Sequence, residues 1–394
     1  MAVSVAHIVT RCIAGAGGVA VRGAISIDPQ RYHGTIVTGS GGPLLDEARS
    51  HGVDVVVIPE LVSPISPRQD AIAFARIIQV LRERQIDVVH THSAKAGVLG
   101  RMAARRVGVS RVVHTMHGFP FHEFQPALKR ATYIQIERRM SGLTDAFLAI
   151  GTGVAVEMIR RGLARPDQIR TIGPAVDPPS VTTTLATRAR ARLLLGVQDD
   201  VLVVGTVGRM DYQKAPEVLI EAISQLTSGA MLVWVGDGPL IEAAQRQVAA
   251  LGLQDRILFL GNRTDVPTIL PAFDVFAMAS RYEGLPCVIV EAQQSGLPVV
   301  ATAVTAVSYV VIPGETGLLV PAGRPSLFSV SLAHTPATPS LARPCIPPDR
   351  PPPPTPAPRR RPPACRRCSP TRTPFAGRTP PSAAGGMPPS TTCT

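Results

Sequence analysis

The feature that most constrains this chain is a rhythm of short apolar runs and amphipathic stretches that occurs twice. Strand-like runs fall at residues 3–9, 34–38, 53–58, 86–92, 111–117 and 146–150, with helical patterns over 70–84, 95–107 and 126–142. The rhythm pauses at 173–179, where Asp177-Pro178-Pro179 halts regular structure. It restarts with apolar runs at 201–208, 231–238, 257–261, 275–280, 298–304 and 317–320, and a helix over 215–226. Strands that alternate with helices and are themselves nearly all apolar predict parallel sheets covered on both faces. The chain therefore reads as α/β, with Rossmann-like domains at 1–178 and 179–323. Open sheets bind ligands at the carboxyl ends of their strands, so the two sheets are expected to face one cleft. Aromatics make up only 4% of residues against 45% hydrophobic, which leaves the packing to aliphatic side chains.

Past Gly323 the periodicity stops. Twenty of the 39 prolines lie in the last 70 residues, centred on PPPPTPAPRRRPP. Residues 324–394 thus read as a disordered Pro/Arg-rich tail. A proline-rich ligand for aromatic grooves is one reading of such a tail. The mixture of Pro, Arg, Ala and Ser without Lys is also what a GC-rich gene yields out of frame, so we expect a frameshift near codons 322–326. The idea fails if no other frame of the gene encodes an amphipathic helical end. In such a tail the Cys365 and Cys368 pair carries no expectation of metal or redox chemistry.

The net charge of +12 invites a nucleic-acid reading, but its distribution opposes one. From Pro325 onward lie nine of the 40 basic residues and one of the 28 acids, leaving the body 31 bases against 27 acids. A mildly basic body suits phosphate-bearing substrates or an anionic membrane surface and does not call for DNA or RNA. Only Cys12 and Cys287 lie in the body, the chain opens on a strand pattern, and no run reaches the ~18 apolar residues of a membrane span. The expectation is a cytoplasmic location, with contact at the inner membrane face.

The strongest chemical signal is Glu283-Gly-Leu-Pro-Cys-Val-Ile-Val-Glu291, with Pro286 suited to a first helical turn. On one helix the two glutamates would stand ~12 Å apart along the axis and ~80° apart around it. One extended nucleotide diphosphate sugar could then be held at both ends, its diphosphate over the helix N-terminus. Glu283 would accept hydrogen bonds from sugar hydroxyls and Glu291 from the ribose. Spacing alone favours two solvated glutamates.

The segment resembles the E-x7-E signature of the group 1, family 4 glycosyltransferases of the GT-B fold. Gly208-Arg209-Met210-Asp211-Tyr212-Gln213-Lys214 is similar to the family's G-R-x-x-x-x-K segment, and Val235-Gly236-Asp237-Gly238-Pro239-Leu240 to its V-G-x-G-P-L turn. Phe259-Leu260-Gly261 followed by Asp265 resembles the loop bordering the nucleotide base, and the likeness runs from about residue 5 to 322. The resemblance implies catalytic roles for His117, Arg209, Lys214 and Glu283. It implies donor binding by Gly17, Gly18, Gly208, Gly236, Gly238, Asp265, Gly284, Leu285 and Glu291. Charge builds on the leaving phosphate as the sugar bond breaks, and Arg209 with Lys214 would meet it without a metal. No Asp-x-Asp motif is present, so neither metal nor other cofactor is expected.

In the N-terminal half, Gly15-Ala16-Gly17-Gly18 offers backbone N–H groups to phosphate. It is not G-x-G-x-x-G, and no acid follows the second strand at Thr38-Gly39, which opposes a nicotinamide dehydrogenase. Where the family commonly continues with an acid and Arg, this chain runs Val19-Ala20-Val21-Arg22. His117 closes a strand toward the cleft. His114 sits on the opposite strand face, so the two are not expected to share a metal, and His114 and His122 read as packed rings. His90, His92, Ser93 and Lys95 resemble an acceptor-side loop, with Lys95 either at a phosphate or solvated. A basic helix carrying Lys129, Arg130, Arg138 and Arg139 is a candidate membrane surface or a solvated face.

The resemblance implies a retaining transferase. It would move sugar from a UDP- or GDP-sugar to a glycan or lipid-linked acceptor in cell-surface polysaccharide or glycolipid synthesis. The competing readings are an inactive, truncated nucleotide-sugar binder and a GT-B epimerase or phosphorylase.

Overall fold

The structure is a computed structural model that describes residues 2–335 apart from Ala14, Pro174, Ala175, Asp177, Pro178, Ser228, Leu285 and Thr305. The tail from 336 onward, the Asp177-Pro178 break and the Leu285 site therefore lie outside the described residues.

The first sheet is built from β1 (Val3–Cys12), β2 (Tyr32–Gly41), β3 (Asp54–Val57), β4 (Val88–His92), β5 (Arg111–Met116), β6 (Ala146–Ile150) and β7 (Ile169–Ile172). Its order is β3-β2-β1-β4-β5-β6-β7 and every pairing is parallel. The second sheet comprises β8 (Val203–Val207), β9 (Met231–Val235), β10 (Ile257–Phe259), β11 (Val275–Met278), β12 (Val299–Thr302) and β13 (Gly317–Val320). Its order is β10-β9-β8-β11-β12-β13, again parallel throughout. Each sheet reverses strand order beside its first strand, which is where a doubly wound fold opens a crevice. Both sheets fall within one compact unit.

The apolar strands are double-sided for a packing reason. On one face of the second sheet Val204, Leu232, Trp234 and Val275 meet the helix Pro216–Ser224; on the other Val203, Val233, Phe276 and Val299 meet the helix Leu185–Leu195 and Phe273. Phe273 presses so closely on β8 that a Cβ at Gly205 would lie 1.9 Å from its ring. The helix Leu185–Leu195 starts where the Thr184 hydroxyl accepts from the Thr187 amide at 3.1 Å, and ends on Gly196 at φ 66°.

Two sequence expectations change. The strand β7 was not foreseen, because IRTI is a short edge strand with two exposed residues. The donor domain does not end at 323: residues Pro325–His334 form a helix. Pro325 occupies its first turn, and Phe328 and Leu332, four residues apart, are fully buried against the helix Pro216–Ser224. Among the described residues, no helix is long and apolar enough to cross a membrane.

Candidate active site

A cleft of about 860 Å³ opens at the carboxyl ends of both sheets. Gly15, Ser93 and His117 line it from the first domain, and Gln213, Glu283 and Gly284 from the second. Two non-glycine residues here hold left-handed backbone. Ser93 (φ 63°) starts the helix Ala94–Val107, and Ala215 (φ 50°) follows Lys214 into the helix Pro216–Ser224. Strain of this kind persists only where the surroundings enforce it, and it concentrates at functional sites. Ser93 is tied to β1 by the Thr10 hydroxyl at 3.1 Å.

Glu283 is the hub of the second domain's wall. Its Oε1 accepts from Lys214 Nζ at 2.5 Å and from the Ser280 hydroxyl at 2.7 Å, and its Oε2 from Gln213 Nε2 at 3.1 Å. The side chain is only 6% exposed. The helix of this segment starts at Cys287, with Pro286 as its cap, so Glu283 lies in the loop before it. The single-helix spacing of the two glutamates is thereby overturned: the proline places Glu283 outside the helix, while Glu291 stands half-buried on it. Arg209 is 58% exposed and pairs with Asp211 at 2.7 Å. Asp211 also accepts from the Lys214 amide at 3.2 Å, so one carboxylate braces both ends of this segment.

The glycines of the two turns stack behind that wall. A Cβ at Gly236 (φ 134°) would lie 2.2 Å from the Gly208 carbonyl oxygen, and one at Gly238 would lie 2.3 Å from that of Met210. Trp234 Nε1 donates to the same Gly208 carbonyl at 3.0 Å, fixing the turn to the core. Across the cleft, Gly17 and Gly18 are buried in the first turn of the helix Ala16–Ile25, where a Cβ on Gly17 would lie 2.4 Å from the Arg11 carbonyl oxygen. Of the expected site residues His117, Glu283 and Gly284 line the cleft itself, whereas Arg209, Lys214, Glu291, Asp265, Gly17, Gly18, Gly208, Gly236 and Gly238 do not. Asp265 forms a two-pronged pair with Arg263 at 2.8 Å.

The domains touch at the cleft floor and rim. A Cβ on Gly284 would sit 1.7 Å from the His117 carbonyl oxygen, so the second domain's backbone rests on the first there. The His122 ring stacks on Tyr282 with centroids 4.1 Å apart and planes within 10°. Arg281 lies over Tyr212, 4.1 Å from the ring centre.

Behind His117 runs a row of imidazoles. His92 Nδ1 lies 3.0 Å from His117 Nε2, and His92 Nε2 lies 3.4 Å from His7 Nδ1. Strand register brings them together: His7 on β1 is the partner of His90 on β4, and His92 follows two residues on, on the same face. His90 Nε2 meets the Thr115 hydroxyl at 2.7 Å. Burial pushes the His7 and His117 rings down to about 4. Burial first, and neighbouring positive charge second, holds His90, His92 and His114 well below the usual histidine value. His7, His90 and His92 are the described residues that could hold a metal, with ligand atoms within 4.8 Å of one another. His114 turns the other way, to the Thr91 hydroxyl at 2.8 Å. Sequence reading passed over His7, because only the β1–β4 pairing discloses it.

Lys95 is neither solvated nor free for a phosphate. Its Nζ bonds Asp70 at 2.5 Å and the Pro64 carbonyl, which ties the helix Pro67–Glu83 to the helix Ala94–Val107. The basic helix spans Ala127–Ser141 and is anchored by a buried Arg101–Glu137 pair at 2.9 Å, with Leu128 82% exposed.

Two parallel sheets sharing one cleft, with a part-buried acid–lysine pair on one wall and a histidine on the other, define a transferase of the GT-B class. Family models agree by halves: "Glycosyltransferase Family 4" matches residues 16–179 and "Glycosyl transferases group 1" matches 201–334. The Escherichia coli UDP-Gal:alpha-D-GlcNAc-diphosphoundecaprenol alpha-1,3-galactosyltransferase is 31% identical over 279 residues, covering 69% of this chain and 72% of that one. The chain belongs to the group 1, family 4 glycosyltransferases. Its fold is shared with Anabaena HepE, solved with UDP-glucose (TM-score 0.73, 22% identity, 86% of this chain and 93% of that one). It is also shared with WaaG, a glycosyltransferase involved in lipopolysaccharide biosynthesis (TM-score 0.68, 17% identity, 86% and 93%).

Proposed function

We propose that this glycosyltransferase moves a sugar, with retention at the anomeric carbon, from a UDP-sugar to a lipid-linked glycan at the inner membrane face. The observation that carries the donor site is the Lys214–Glu283–Gln213 network at the cleft wall, with Arg209 beside it. A nucleotide diphosphate would draw Lys214 and Arg209 toward its oxygens, and the two would stabilise the phosphate charge in place of a metal ion. Glu283, relieved of Lys214, would accept from the sugar hydroxyls. Glu291 and the first turn of the helix Cys287–Gln294 would take the ribose and diphosphate, Gly17, Gly18, Gly208, Gly236, Gly238, Gly284 and Leu285 would also meet the donor, and Asp265 would border the base. His117 would meet the sugar from the opposite wall.

In the transfer the anomeric C–O bond to the β-phosphate breaks and its electron pair stays on the diphosphate. The acceptor oxygen attacks from the same face, and its proton passes to the departing phosphate oxygen. No second nucleophile is needed. The UDP choice is supported by the names of relatives: the E. coli enzyme takes galactose from UDP-Gal to a diphosphoundecaprenol-borne GlcNAc, and HepE was solved with UDP and with UDP-glucose. The exposed Leu128 on a basic helix fits contact with an anionic lipid surface.

The test is thermal shift and nucleotide release with UDP-, GDP- and ADP-sugars, on the chain and on Glu291→Ala. Stabilisation by the UDP-sugar alone, weakened in the variant, is expected. A folded protein that responds to none of the three would sink the donor-site reading.

A further inference from the structure

The imidazole row behind the cleft has a direction. We infer that His7 and His92 are positioning residues that fix the tautomer of His117, so that it offers the cleft an N–H donor on Nδ1. The inference rests on the reading of His117 as a donor-site residue.

The contacts leave few arrangements. His117 Nε2 faces His92 Nδ1 at 3.0 Å, and His92 Nε2 faces His7 Nδ1 at 3.4 Å. A neutral imidazole carries one proton and one lone pair, so each contact needs a donor on one side and an acceptor on the other. Once one ring's tautomer is set, all three follow. In the first polarity every Nδ1 is protonated: His7 donates to His92, His92 donates to His117, and the His117 Nδ1–H is left for a ligand. In the second every Nε2 is protonated and the His117 Nδ1 shows a bare lone pair.

The deep end of the row decides between them. His7 is 4% exposed, and its Nε2 is buried without a hydrogen-bond partner among the described residues. The second polarity would strand an N–H there. Orphaned buried N–H groups are rarer than under-satisfied acceptors, and leaving a buried donor unmade is costly. The first polarity leaves only a lone pair at that end. Burial keeps the rings neutral, as the argument requires. His117 therefore meets its ligand as a hydrogen-bond donor, suited to a sugar hydroxyl oxygen or a phosphate oxygen. At that nitrogen it cannot serve as a base while the row is intact.

A metal on His7, His90 and His92 is the rival occupant. The three offer ligand atoms within 4.8 Å of one another, but binding a metal through His7 Nδ1 or His92 Nε2 would break the 3.4 Å contact of the row. His90 also commits its Nε2 to the Thr115 hydroxyl.

The experiment is nitrogen-15 NMR of histidine side chains in the full-length, ligand-free protein near neutral pH, with His117→Gln and His7→Asn used to assign rings. Free histidine favours the Nε2–H form, so finding Nδ1–H at both His92 and His117 would be a selected state and is the expected result. Nε2–H at His117 would overturn the inference. So would ring shifts and a melting temperature that respond to one equivalent of zinc and reverse with EDTA, since the cluster would then be a metal site. The second arm compares His92→Asn, whose amide can still donate to His117, with His92→Leu, which cannot. The Leu variant is expected to lose roughly tenfold in donor kcat/KM, the worth of one hydrogen bond, with the Asn variant recovering most of it. Equal losses in both would reduce His92 to packing and overturn its positioning role. The tautomer reading needs no activity, so it stands or falls separately from the proposed reaction.

Discussion

Lys214 and Glu283 form a part-buried pair in which the carboxylate is the deeper partner, with side chains 17% and 6% exposed. Removing one partner of such a pair strands the other, at about 3–5 kcal/mol, whereas removing both is far milder. Lys214→Met should therefore lower the unfolding free energy by that order, and Lys214→Met with Glu283→Gln should recover most of it while staying inactive. Urea unfolding of the single and double variants checks this; additive losses would mean that the two do not act as a unit. The buried imidazoles predict a pH effect at the same scale. His7 and His117 fall from 6.5 to about 4 in the fold, so between those values the unfolded chain binds protons that the fold refuses. Their stability is fully present above pH 6.5 and lost as pH falls toward 4, about 3 kcal/mol for each ring. Comparing urea midpoints at the two ends of that window should show a smaller loss in His7→Asn than in the parent chain. The residue types at the site were legible, because chemistry is local. Their partners were not: Lys95 finds Asp70 and His92 finds His7 across gaps that only strand order and helix packing close.

At the scale of elements, the strands were legible because nearly every one is apolar on both faces, a consequence of helices on both sides of a parallel sheet. β7 and the helix Pro325–His334 escaped for opposite reasons. β7 carries too little apolar character to stand out at an edge. In PSLFSVSLAH serines dilute the helical stripe, and the proline that opens the helix reads as part of a proline-rich tail. That helix is nonetheless part of the core. Phe328 is fully buried beside Leu219 and Leu332 against the helix Pro216–Ser224. Phe328→Ala should cost about 3–5 kcal/mol, while Val330→Ala, on the exposed side, should stay within about 0.5 kcal/mol. Similar melting of the two variants would mean that the helix is not docked and that the domain ends near 323, where the sequence pattern breaks. The frameshift expectation bears on the same point, since a helix that packs through Leu332 places the end of the fold-like sequence about ten residues later than the break in composition.

For the whole molecule, the informative contact is the one between domains. Gly284 lies on the second domain's cleft wall, one residue after Glu283, and a Cβ there would fall 1.7 Å from the His117 carbonyl oxygen on the first domain. Real Cβ contacts stay beyond 3.0 Å, so Gly284→Ala cannot be absorbed by a side chain turning away. The backbones must part by more than 1 Å, either by opening the cleft or by shifting the loop that carries Glu283. Each domain keeps its own sheet and core clusters, so the melting temperature should change little. Nucleotide binding, which the proposal places on the second domain, should survive with at most a few-fold loss. In the proposed transfer His117 and Glu283 meet the same sugar, and a misplacement of ~1 Å between such groups can cost about a hundredfold in kcat/KM. The measurement is transfer rate and UDP affinity on the same Gly284→Ala preparation, with small-angle scattering to read the separation of the domains. A loss confined to transfer, with a wider molecule, would make Gly284 the seat on which the cleft closes. A matching loss in UDP affinity with unchanged scattering would instead confine its role to the donor pocket, and the closure argument would fail.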